Sequence, residues 1–186
     1  GGSGGRPAAD GIDGTDFSLG SLANTPTEAV ENEIPIVVRR YAVVPDSGGA
    51  GRYRGGHALR LDFEVLQPDT IVTARGMDRF RFQPWGLAGG RAGATGEAWI
   101  DPGETQARRL GKIDVIRLGV GEVLSVSTPG GGGYGDPLAR DPLAVLADVE
   151  NGWVSRESAL HDYGVVTNEH GRTVALDEQE TFRLRA

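Results

Sequence analysis

Within Ala58-Leu59-Arg60-Leu61-Asp62-Phe63-Glu64-Val65-Leu66, apolar and charged side chains alternate from Leu59 to Val65, and this alternation decides the fold class. Successive side chains on a strand point to opposite faces. Leu59, Leu61, Phe63 and Val65 therefore share one face, and Arg60, Asp62 and Glu64 share the other. The stretch reads as a half-buried strand. On its N-terminal side, residues 34–44 form a second strand candidate, because Ile36, Val37, Val38, Tyr41, Val43 and Val44 suit a pleated, packed surface. Pro35 falls near the beginning, where a strand tolerates proline. Pro45-Asp46-Ser47-Gly48-Gly49 supplies a turn cluster between the two. On the C-terminal side, short candidates follow at residues 71–74, 96–100, 113–118 and 122–127, separated by Gly and Pro. Short strands at this spacing predict a sandwich or barrel.

Composition sets the limits. The chain has 186 residues, enough for one main domain and a small appendage. Its 30 glycines and 10 prolines lie beside a 38% hydrophobic content, which indicates turns and special backbone geometry rather than disorder. A net charge of −7 argues against a nucleic-acid partner, which needs a basic face. With no cysteine there is no disulfide frame, thiolate metal site or cysteine nucleophile, and a reducing cytoplasm is the expected compartment. No stretch approaches the roughly 20 apolar residues of a membrane helix. The opening Gly1-Gly2-Ser3-Gly4-Gly5 reads either as a flexible linker or as the continuation of a longer polypeptide.

Beyond residue 137 the pattern turns helical. Residues 141–151 place Val145, Leu146 and Val149 at helical spacing, with Asp141 as N-cap, Pro142 at the first helical position and Gly152 as the stop. A second short helix opens at Ser155 and ends at Gly164. The expected fold is mainly β, sandwich- or barrel-like with Gly-rich loops and a small helical C-terminal appendage, and α+β overall. Its divisions are an irregular Gly-rich segment 1–33, a β-rich body 34–137 and the appendage 138–186.

Several patterns could carry chemistry. The run Thr128-Pro129-Gly130-Gly131-Gly132-Gly133-Tyr134-Gly135-Asp136-Pro137 could converge backbone N–H groups on a phosphate. It lacks the Lys-Ser/Thr of a P-loop and the spacing of a dinucleotide fingerprint, so close passage of backbone segments is the better reading. His57, His161 and His170 match no zinc spacing, and no nucleophilic triad is supported. Glu28, Glu31 and Glu33 could supply a base or ligand, with Glu28 and Glu31 on one face of a helix. Arg52, Arg54, Arg79 and Arg81 could hold an anionic substrate, but structural ion pairs are the commoner outcome.

Five stretches, in order and spacing, resemble the hydantoinase B/oxoprolinase family, which includes the C-terminal half of 5-oxoprolinase and subunits of acetone and acetophenone carboxylases. They are Gly4-Gly5-Arg6 with Asp10-Gly11; Asn24-Thr25-Pro26-Thr27-Glu28 through Glu31; Asp46-Ser47-Gly48-Gly49-Ala50-Gly51-Arg52-Tyr53-Arg54-Gly55-Gly56; Asp78-Arg79 with Pro84-Trp85-Gly86-Leu87 and Gly89-Gly90; and the glycine run. Two departures stand out. His57-Ala58-Leu59-Arg60 replaces a small residue followed by an Arg-Glu pair, and Glu122 occupies a position where the family pattern has Asp.

The resemblance implies the C-terminal portion of a B-type subunit in an ATP-dependent hydrolase of cyclic amides such as hydantoin, 5-oxoproline or a lactam. Its implied partners are the remainder of the B subunit, an actin-like ATPase subunit of the hydantoinase A type and a small-molecule substrate, with neither nucleic acid nor membrane. ATP is expected on the partner subunit or half-chain, and a divalent metal upstream of Gly1, with neither held by this chain alone. Asp10, Asn24, Glu28 and Glu31 are the implied site-lining residues, acting by orientation and hydrogen bonding. Two other readings stay open: part of an ATP-dependent acetone/acetophenone-type carboxylase, and a structural module without activity of its own.

Overall fold

The computed structural model describes residues 1–15, 23–170 and 173–186, and the side chains of all of these except residues 169 and 170. Strand β1 (Ile36–Val43) pairs antiparallel with β2 (Leu59–Val65), the element built from the alternating stretch. Val38 lies opposite Phe63, and the register shifts between Val38 and Arg40. After β3 (Thr70–Thr73) come β4 (Glu97–Ile100), β5 (Arg108–Leu110), β6 (Val115–Leu118) and β7 (Val123–Ser127). Five of these form an antiparallel sheet in the order β1-β2-β7-β4-β5, and β3 pairs separately with β6. The fold is mainly β and α+β overall.

The apolar core lies between these two sheets. Val65, Ala98, Ile100 and Leu124 of the larger sheet pack with Leu118 of β6 and with Ile113 and Met77, all buried. The charged face of β2 is less exposed than its alternation suggests. Asp62 is 5% exposed, because β2 is an interior strand between β1 and β7. Its carboxylate is satisfied there by Arg60 at 2.8 Å and Arg40 at 3.5 Å, in keeping with the rule that buried charges are paired.

Among the described residues of the stretch 1–33 there is one helix, α1 (Thr27–Glu33). The C-terminal part contains α2 (Pro142–Glu150) and α3 (Arg156–Tyr163), then the hairpin β8 (Thr167–His170) and β9 (Thr173–Leu176), and finally α4 (Glu178–Arg185). Asp141 and Ser155 cap α2 and α3 by accepting from the N–H groups of Leu143 and Ser158. Gly164 ends α3 at φ 60°, a left-handed position that favours glycine. These elements bury Val145, Val154, Ala159, Tyr163 and Val165 together with Ala50 of the body.

Between the sheet and the helices the chain is held with hardly any side chain. Residues 130–133 run among three other backbone segments. A Cβ on Gly130 would lie 1.8 Å from the Ser47 carbonyl oxygen, on Gly131 1.8 Å from that of Ser3, on Gly132 2.0 Å from that of Trp85, and on Gly133 2.1 Å from that of Ala50. Hydrogen bonds follow the same geometry. Gly131 donates to Gly56 O at 2.8 Å, Gly130 to Ala94 O at 3.1 Å and Gly133 to Arg91 O at 2.9 Å, while Gly132 O accepts from Gly5 at 2.8 Å. The N-terminal glycines belong to this bundle rather than to a free linker: Gly2 donates to Pro129 O at 3.0 Å.

Candidate functional site

On the flank of the glycine bundle, three distant segments bring buried charges together. Asp10 and Asp13 come from the N-terminal segment, Arg54 and His57 from the segment preceding β2, and Arg140 and Asp148 from the start and body of the helical part. Arg140 clasps Asp10 bidentately, with Nη1 to Oδ1 at 2.7 Å and Nη2 to Oδ2 at 2.8 Å. Its Nη2 also reaches Asp148 Oδ2 at 2.8 Å. Arg54 donates through Nη1 to Asp13 at 3.0 Å and through Nε to Asp148 at 3.3 Å, and its guanidinium lies 5.0 Å from the centre of the Trp153 ring. The side chains of Arg54, Arg140 and Asp148 are each under 10% exposed, so each charge relies on its partners rather than on water.

The protonation states follow from these contacts. Burial works against the Arg140 charge, but the hydrogen bonds it donates to Asp10 and the field of Asp148 outweigh it and hold the guanidinium protonated. Burial, reinforced by the Arg54 charge, lowers the His57 pKa against the opposing pull of Asp13. The imidazole is therefore neutral, and since a carboxylate only accepts, its Nδ1–H donates to Asp13 Oδ1 at 2.9 Å. Burial alone would raise Asp13, yet the His57 backbone N–H and Arg54 bring it below its ordinary value. Tyr163, buried beneath the network, is raised by desolvation.

The four site residues expected from sequence do not share partners. Asp10 belongs to the buried network. Asn24 contacts the Tyr41 hydroxyl, Glu31 accepts from Val38 N–H at 2.7 Å, and Glu28 lies in the first turn of α1; all three are thus associated with α1 and β1. Among the arginines, Arg54 is the one that pairs buried carboxylates, while Arg52, Arg79 and Arg81 lie over the rings of Tyr53, Trp85 and Phe82. The side chain of His170 lies outside the described residues. Sequence reading does not name Asp13, Arg140 or Asp148 as site residues; the signal for Asp13 is a pair of acids three apart, each beside glycine, at Asp10 and Asp13. It also passes over a Gly-x-Ser-x-Gly pattern at residues 1–5, where Ser3 Oγ accepts from Ile12 N–H at 2.7 Å and the segment continues into the bundle without a helix.

Among the described residues, no three His, Cys, Asp or Glu side chains are grouped to hold a metal ion. No helix of the structure is long and apolar enough to cross a membrane.

The profile of the hydantoinase B/oxoprolinase family matches residues 1–137. The chain belongs to that family. It is 37% identical to the caprolactamase beta subunit of Pseudomonas jessenii over 177 residues, covering 90% of this chain and 29% of that subunit. The crystal structure of the ATP-dependent caprolactamase from the same organism aligns at a TM-score of 0.77 with 30% identity, over 99% of this chain and 32% of the other. Nucleotide-free acetone carboxylase shares the fold at a TM-score of 0.81 and 22% identity, over 96% of this chain and 28% of its own. The chain spans less than a third of the length of these proteins. Arg140 and Asp148 lie beyond the residues that the family profile matches.

Proposed function

We propose that this chain serves as the C-terminal part of a B-type subunit in an ATP-dependent cyclic-amide hydrolase. The observation that carries the reading is the 37% identity to the caprolactamase beta subunit along 90% of the chain. In this reading ATP is used on an actin-like partner subunit, a divalent metal is held by the preceding part of the B subunit, and the present chain contributes positioned hydrogen-bonding groups. Asp10, Asn24, Glu28 and Glu31 are the proposed site-lining residues, Asp10 from the bundle flank and the other three from around α1. Residues 1–33, 34–137 and 138–186 are proposed as the working divisions, with the last clamping the first through Arg140 on Asp10 and the second through Asp148 on Arg54.

The test is performed on the assembled complex. ATP hydrolysis that depends on a lactam or hydantoin, and that falls in alanine variants of the four residues, is the expected result. Bicarbonate-dependent hydrolysis with a ketone, and none with cyclic amides, would replace this reading by a carboxylase. Wild-type ring opening in all four variants would remove the site assignment.

A further inference from the structure

A cleft of about 460 Å³ opens where the helical part meets the bundle, walled by Ala9, Tyr53, Ala139 and Ala144 and edged by Arg52 and Asp141, with Asp10 and Arg140 in its lining. Its volume suits a small ring. Asp10 is the polar group on which the cleft depends. Its Oδ1 accepts from Arg54 N–H at 2.8 Å and from Arg140 Nη1 at 2.7 Å, and its Oδ2 accepts from Arg140 Nη2 at 2.8 Å. A carboxylate offers about four acceptor positions, so one remains, on Oδ2. The Asp10 side chain is 36% exposed, whereas the Arg140 side chain that grips it is 4% exposed. The result is a fixed carboxylate acceptor in the lining of a small pocket, held by a buried donor. The Oδ1 of Asp141, the other acid of the lining, is engaged by Leu143 N–H at 3.0 Å.

We infer that this cleft is a subsite for the ring N–H of a cyclic amide, with Asp10 Oδ2 as the acceptor and Arg140 as the positioning residue that aims it. The inference rests on the hydrolase reading and assigns that reading a ligand group. A neutral lactam suits the cleft because Arg140 already balances the Asp10 charge, and the alanine and tyrosine walls accept methylenes. Discrimination should come from the N–H itself: a site built to accept it rejects an analogue lacking it far more strongly than one that merely differs in bulk.

Calorimetric titration of the 186-residue chain, without ATP, with ε-caprolactam, N-methylcaprolactam and 6-aminohexanoate tests this. The expected result is saturable binding of caprolactam at least about tenfold tighter than of the N-methyl compound, from one charge-assisted hydrogen bond. In Arg140→Lys, which keeps the charge but loses the two-pronged grip, the preference should fall below about threefold while caprolactam still binds. Equal binding of the two lactams, binding of the amino acid alone, no saturable binding, or an unchanged preference in a folded Arg140→Lys chain would each overturn the inference. Because the N-methyl comparison uses the wild-type chain, it stands even if the variant misfolds. Because no turnover is measured, failure here leaves the hydrolase reading intact, and that reading fails separately if the assembled wild-type complex shows no amide-dependent ATP hydrolysis.

Discussion

In the sheet core, Leu124 and Val65 are fully buried in a cluster of apolar side chains. In the bundle at 130–133 the neighbours are carbonyl oxygens of other backbone segments, approached closely enough that no Cβ fits. The first region draws its cohesion from removing hydrocarbon from water. The second draws it from backbone hydrogen bonds made in several directions at once. A hydrocarbon core can relax around a missing methyl group, but a bundle of bare backbone leaves an added methyl no place to go. The two regions should therefore differ in how much a change in volume costs.

Gly131→Ala is the sharpest way to break this contrast. With the Ser3 oxygen 1.8 Å from the new Cβ, the variant should lose more than about 4 kcal/mol of stability or fail to fold. Chemical denaturation of the purified variant checks this, and near-wild-type stability would mean that the segments can part at little cost. Leu124→Ala, which only empties space, should cost about 2–5 kcal/mol, measured in the same way. If it exceeds the glycine variant, the side-chain core and not the bundle is the less tolerant region.

The third prediction concerns the bundle's charged flank. The His57 pKa is lowered from 6.5, burial being the main cause. Its contribution to stability is complete above pH 6.5 and is lost as the pH falls from there through the folded-state value. Urea midpoints should therefore decline below pH 6.5, and His57→Gln should flatten that part of the profile. Asp13, also lowered, acts at a more acidic stage, as the pH drops below 3.8 through its own folded value. The smallest effect lies at the start of α3, outside both regions. Ser155→Ala removes the cap on α3 and should cost about 1 kcal/mol, seen as a small fall in Tm.

The sheet was legible because its strands have period-two or β-branched patterns: β1, β2, β4, β6 and β7 fall within the stretches read as strands, and β3 is offset from its stretch by one residue. The caps of α2 and α3 were legible because capping is local chemistry. β5 was missed: Arg108, Arg109 and Leu110 show no alternation, and the strand exists by pairing with β4. β8 and α4 carry too few apolar residues to declare themselves, and β9 is only four residues long. The charged network was illegible for a different reason, since Asp10 and Arg140 stand 130 positions apart and neither residue type announces burial. The glycine run indicated close passage of backbone, but not which segments pass.

The bundle also changes what a spectroscopist should expect of this protein. Apart from isolated bridges at Tyr53, Leu87 and Tyr134, its segments belong to no helix or ladder, so circular dichroism would count them as coil. Their amides nonetheless donate to partners far along the chain, as from Gly131 to Gly56 and from Gly5 to Gly132. Deuterium uptake should be slowest in this nominal coil, because releasing a single amide there requires several segments to separate together. Helical content and rigidity would then be inversely placed along the chain, with the exposed, charged α4 exchanging early and the glycines last.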